Sequence, residues 1–148
     1  LEIYEECREI EIYEIIYQME RLANDYDYLE PGQCEESEEI GSALKMYSKL
    51  LAKLIGEYSE VVLKVFDSPR DEPKYFMSLA LIESPTPLAI EVLFEYVDNG
   101  IENNYERKIA EEALTACRSL LGKKEQHGKP KDSKGRSIVR MLLSFLKL

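Results

Sequence analysis

Tryptophan is absent from this sequence, histidine occurs once, and cysteine only three times in 148 residues. Each scarcity excludes a chemistry. The lone histidine, His127, sits in a lysine- and glycine-rich stretch, "GKKEQHGKPK", rather than in an apolar setting that would position it for general acid–base work. No Ser-His-Asp or Cys-His arrangement can therefore be assembled. Cys7, Cys34 and Cys117 are odd in number, far apart and in no CxxC pair, which reads as packing cysteines in a reduced, cytoplasmic setting rather than a disulfide or zinc framework. Basic residues are also in deficit: 19 Lys and Arg stand against 29 Asp and Glu, a formal charge of −10. That balance disfavours nucleic acid and anionic membranes, where neutralising phosphate supplies most of the affinity. No apolar run approaches the roughly 20 residues of a membrane span. The start, "LEIYEECREI", lacks the basic-then-apolar layout of a secretory signal and has no initiator Met, which reads as a processed or trimmed product.

What is present is helical. With 45% hydrophobic and 32% charged residues the chain belongs among folded proteins, and its length suits one domain. Apolar residues recur at three and four almost everywhere, and no segment alternates as a strand would. A first helix is expected from Ile3 to Leu29, with Ile12, Ile15, Ile16, Met19, Leu22, Ala23 and Tyr26 on one stripe and Pro31-Gly32 ending it. A second is expected from Ser37 to Phe66. Ile40, Leu44, Tyr47, Leu51, Leu54, Tyr58, Val61 and Val65 alternate four and three apart, a heptad seam, and Gly56 is where a kink is expected. Two long helices joined by a short turn should pack antiparallel.

Shorter units follow. Ser68-Pro69-Arg70-Asp71 offers a cap, a first-turn proline and an acid for a helix reaching Glu83. "SPTP" at 84–87 breaks the chain before a stripe of Leu88, Ala89, Val92, Leu93, Tyr96 and Val97, closed by Asn99-Gly100. Asn103 and Glu106 form a capping box for the next helix, which Gly122 is expected to end. This helix carries Ala110, Ala113, Ala116 and Cys117 on its buried side. Small residues there let neighbouring helix axes come close. Residues 123–136 hold six Lys and Arg against two acids, a +4 segment read as a basic loop, and the rest of the chain carries −14. A last apolar helix is expected at 137–148.

Residues 57–83, 87–122 and 137–148 together resemble degenerate HEAT-type repeats, in which an outer helix ends in an acidic turn and an inner helix carries a basic residue and then small and leucine positions. The turns are "VFDSPRDEP" and "YVDNGIENN", with Phe66-Asp67 and Val97-Asp98 offset by 31 residues. Arg107, Ala110, Ala113, Leu114 and Leu120 match the inner-helix pattern, and Lys74, Leu79, Ala80 and Leu81 match it more loosely. The expected architecture is all-α: a single domain, 1–148, with an antiparallel hairpin over 1–66 and HEAT-like stacked pairs over 67–148. An irregular helical bundle is the alternative.

Only the carboxylates offer catalytic candidates. Glu6 and Glu9 lie three apart on the first helix, and Glu36 and Glu39 three apart on the second, a spacing that can present oxygen ligands to Mg²⁺. The arrangement is similar to all-helical nucleoside triphosphate pyrophosphohydrolases, whose first helices carry E-x-x-E and then E-x-x-D. Here Ser42 stands at the Asp position. Acids at a helix start also favour the macrodipole, which accounts for Glu35 to Glu39 without a metal. The ten tyrosines fall at or beside apolar stripes, where they either close the core edge or line a protein-binding groove. The expectation is a non-enzymatic, cofactor-free interaction module. Its acidic helical surface would meet a basic or amphipathic segment of another protein, with Tyr96, Asp98 and Tyr105 as contact candidates. A homo-oligomer is compatible with it, and the Mg²⁺-dependent hydrolase is the alternative.

Overall fold

A computed structural model describes residues 2–128, with side chains described for residues 8–121. Among them are five α-helices and no strand: α1 (Glu2–Asp27), α2 (Cys34–Val62), α3 (Asp71–Glu83), α4 (Ile90–Asp98) and α5 (Asn104–Gly128), with 3-10 turns at Leu63–Asp67 and Pro87–Ala89. The protein is all-α, as its periodicity requires. The helix expected at 137–148 lies outside the described residues. The chain groups into two compact units that divide between Ala80 and Leu81, inside α3.

In the first unit α1 lies against α2. Ile12, Ile16, Met19 and Ala23 are buried, a row four, three and four apart. Ile15 and Leu22 flank it half-buried, whereas Tyr26, assigned to the stripe, is 46% exposed. At 100° per residue Tyr26 points about 60° from Ala23 and leaves the row at the last turn. On α2 the buried residues are Leu44, Ser48, Leu51, Ile55, Val61 and Val62, so the seam turns by one position from Tyr47 to Ser48 and from Leu54 to Ile55. The buried row Leu44, Ser48, Leu51 and Ile55 is itself four, three and four apart, so the heptad spacing holds and only its phase after Leu44 differs.

The bend in α2 is at Tyr58 (φ −128°, ψ 40°), two residues past the glycine expected to cause it. Beyond it the Leu63–Asp67 3-10 turn takes over, and buried Val62, Val65 and Ser68 follow the three-residue period of that geometry. The Ser68 hydroxyl accepts the Arg70 backbone N–H at 3.2 Å, starting α3. Arg70 then reaches back to the end of α1. Its guanidinium donates to the Ala23 carbonyl at 3.2 Å and pairs with Asp27. α1 has no basic residue in its last turn, so its C-terminal partial negative charge meets a cation supplied from 43 residues further on.

In the second unit α4 and the Pro87–Ala89 turn pack on α5. The Thr86 hydroxyl caps the turn by accepting the Leu88 N–H at 3.3 Å, with Pro87 at the first position. Gly100 closes α4 with φ 84° and donates its N–H to Val97 O at 3.1 Å, a left-handed cap that a β-carbon would strain. Asn103 Oδ1 accepts the Glu106 N–H at 3.0 Å, so the capping box starts α5 where its residues imply. The buried face of α5 is Ile109, Ala110, Ala113, Leu114, Cys117 and Leu121, with Ala116 half-buried at its edge. Gly122 does not end α5, which continues to Gly128. One helical glycine costs about 1 kcal/mol, and the Lys-Lys-Glu-Gln run behind it is strongly helix-forming. The first six residues of the expected basic loop are therefore helix, and residues 129–136 lie outside the described residues.

Candidate functional surfaces

The acidic candidates separate into solvent. Glu9 on α1 and Glu36 and Glu39 at the start of α2 are all exposed, and the Glu6 side chain is outside the described ones. Among the described residues no three His, Cys, Asp or Glu side chains come together in a way that could hold a metal ion. Glu35 and Glu36 occupy the first turn of α2, whose N-cap residue Gln33 makes no side-chain cap. Gln33 Oε1 instead accepts the Glu30 N–H at 2.6 Å. The two carboxylates thus meet the positive end of α2 where no side chain caps it.

The three partner-contact candidates flank the connection from α4 to α5. Tyr96 is half-buried on α4, Asp98 is exposed as its final residue, and Tyr105 is 63% exposed in the first turn of α5. Glu95 and Glu102 are exposed between and beside them, so this edge is acidic and aromatic. Sequence reasoning missed its neighbour Phe94. That ring is 39% exposed and lies 5.6 Å from the Arg118 guanidinium carbon, a cation–π contact from α5 to α4. The signal was readable only with the helix pairing known, because Phe94 and Arg118 are 24 residues apart.

Two further features were not legible as sites. Lys64 Nζ stands 5.5 Å from the Tyr13 ring centroid, and the hydrogen bond and attraction it finds at Tyr13 hold the ammonium above its ordinary range. Tyr13, with Ile10 and Tyr17, belongs to an exposed row on α1 turned away from the buried Ile12–Ala23 row. Cys117 is fully buried against the Thr86 turn. Burial pushes its thiol up from the ordinary value of 9.0, and the Thr86 backbone N–H offsets part of that rise. Such a thiol packs as a small apolar group and is a poor nucleophile.

No helix among the described residues is long and apolar enough to cross a membrane. No family model matches the chain, and neither a curated protein nor a solved structure shows significant similarity to it.

Proposed function

We propose that this protein is a cytoplasmic, non-enzymatic interaction module whose acidic helical surface binds a basic or amphipathic segment of another protein. In this reading α1 and α2 form an antiparallel hairpin, and the shorter helices stack as HEAT-like pairs, with α5 as an inner helix. The observation that carries it is the edge at the α4–α5 connection, where exposed Tyr105 lies with exposed Glu95, Asp98 and Glu102 and half-buried Tyr96 adds part of its ring. Aromatic bodies with polar tips supply contact area at small entropic cost, and surrounding carboxylates select for cationic partners.

A fluorescent, lysine-rich amphipathic helical peptide tests this by anisotropy, with an acidic peptide of the same apolar face as control. The basic peptide should bind, weaken as salt rises, and lose affinity with Tyr105→Ala and with Asp98→Lys. Replacing Lys129, Lys131 and Lys134 by Ser should leave binding intact. Equal binding of both peptides, or loss on replacing those three lysines, would overturn the assignment. Mg²⁺-dependent pyrophosphate release from nucleoside triphosphates that disappears in Glu36→Gln or Glu39→Gln would replace it with the hydrolase.

A further inference from the structure

Both long helices of the first unit are acidic overall, α1 by −7 and α2 by −3, but the middle of α2 is a basic segment. α1 carries nine acids against two arginines, whereas residues 42–56 of α2 carry three lysines and no acid. Each helix also turns an apolar row to solvent on the side of its own charge. On α1 the row is Ile10, Tyr13 and Tyr17, which are 66%, 44% and 55% exposed, with exposed Glu9 and Glu14 and half-buried Glu20 beside it. At 100° per residue these three apolar residues lie within about 60° of one another, well off the buried Ile12–Ala23 row. On α2 the row is Met46 and Leu50, 57% and 42% exposed, with exposed Lys45 and Lys53 alongside. It faces about 160° from the buried Leu44–Ile55 row. Neither row can be covered by the face that its own helix buries.

The two rows are complementary in chemistry. Ile10 to Tyr17 spans seven residues, about 10 Å of helix, and Met46 to Leu50 spans four, about 6 Å, so the aliphatic pair covers part of the aromatic row. One is aromatic and edged with carboxylates; the other is flexible and aliphatic, with Lys45 and Lys53 beside it and exposed Glu39 and Glu57 seven residues beyond either end. The Lys64 ammonium over Tyr13 shows that the α1 row already receives a cation at a ring face. Contact of α1 with a second α1 would set two helices of net charge −7 against each other, so the row's complement is not itself. The complement is present on every copy of the chain.

We propose that the protein self-associates, with the Ile10–Tyr13–Tyr17 row of one copy seated on the Met46–Leu50 row of a second and carboxylates of the first facing Lys45 and Lys53 of the second. Met side chains adapt to aromatic neighbours, and a desolvated apolar centre within a polar, solvent-accessible rim is the arrangement of specific interfaces. The area is small, and each copy carries −10 overall, so long-range repulsion opposes approach until salt screens it beyond about 8 Å. Both place the association in the weak, reversible class rather than among obligate dimers. This surface lies in the first unit and is independent of the α4–α5 edge, so either assignment can fail without the other.

Sedimentation equilibrium of the protein alone, from micromolar to millimolar concentration at physiological salt, is the test. The weight-average mass should rise above that of one chain as concentration increases, and because the two rows differ the contact need not close at two. Tyr17→Glu and Leu50→Glu, both at exposed positions and each checked for unchanged helical circular dichroism, should weaken association by roughly tenfold or more. Two charge-reversed forms give a readout that misfolding cannot imitate. Glu14→Lys/Glu20→Lys makes both rows basic, and Lys45→Glu/Lys53→Glu makes both acidic; each alone should stay monomeric, and their mixture should associate. A protein monomeric throughout the range overturns the inference. So does association that survives both glutamate substitutions, or a mixture of reversed forms that does not pair.

Discussion

Two buried serines make the same substitution a test of opposite expectations. Ser48 on α2 and Ser78 on α3 are both fully buried. The Ser78 hydroxyl donates to the Lys74 carbonyl one turn back at 2.9 Å, and the Ser48 hydroxyl has no hydrogen-bond partner among the described residues. Burying a hydroxyl without a hydrogen bond costs about 1–3 kcal/mol on protein mutational scales. Alanine removes that cost at position 48 and adds up to about 0.5 kcal/mol of helix propensity, less a few tenths for the lost contacts of one oxygen. Ser48→Ala should therefore stabilise the protein by about 1 kcal/mol, or raise the melting temperature by about 3 °C for a chain of this size. At position 78 the substitution gives up a made hydrogen bond, about 1 kcal/mol, against the same propensity gain, and should be neutral to slightly destabilising. Urea unfolding followed by circular dichroism measures both. The slope should stay constant, so that midpoints alone report stability. A lowered midpoint for Ser48→Ala would refute the reasoning, since it would mean that the hydroxyl is satisfied and contributes to the fold.

Arg70→Ala should cost about 1–2 kcal/mol by removing the cation from the end of α1 and leaving Asp27 unpaired; Arg70→Lys, which keeps charge but not the fork, should recover about half. The pair is partly exposed, so the loss should shrink in high salt while a packing loss would not. Ala113→Leu should destabilise by about 1–3 kcal/mol, because the site is fully buried on the small-residue face, and Ala116→Leu at its half-buried edge by less. An unchanged denaturant midpoint for Ala113→Leu would mean that neighbouring helices do not approach closely there. Cys117 gives a pH signature. Its folded-state pKa is raised, so its contribution is complete below the ordinary thiol value of 9.0 and is lost as pH climbs through the folded value. The stability difference between wild type and Cys117→Ala should be flat through neutrality and fall at alkaline pH. A thiol reagent should meanwhile modify exposed Cys34 well before Cys117.

Local signals carried most of the fold. The capping box at Asn103, the left-handed Gly100 and the Thr86-Pro87 restart each act through atoms within three residues, so sequence spacing determines them. The misreadings have a shared cause. Which α2 position is buried, Tyr47 or Ser48, depends on how the partner helix sits across the groove. The bend in α2 falls at Tyr58 and not at Gly56, so the residue with the greatest backbone freedom is not the one that departs from helical geometry. Gly122 was read as a stop because the penalty for one glycine was weighed without the helix-forming run that follows. Among the surfaces, Asp98 and Tyr105 are as exposed as their polarity suggests. The α1 row escaped notice because tyrosines at three- and four-residue spacing look alike whether they face a core or water. Phe94 with Arg118, and Arg70 with Ala23, needed the tertiary structure outright.

The Arg70 clasp has a kinetic corollary. The turns of α1 and α2 close over short loops, but Arg70 meets Ala23 across 47 residues of chain and only after both helices exist. Closing that loop is entropically expensive before α1 and α2 pack together and nearly free afterwards. A contact that closes late should have a low φ-value, so Arg70→Ala is expected to speed unfolding more than it slows folding, which a chevron plot would measure. Arg70 is then less a builder of the first unit than its latch, setting how long the assembled helices stay together once they have met.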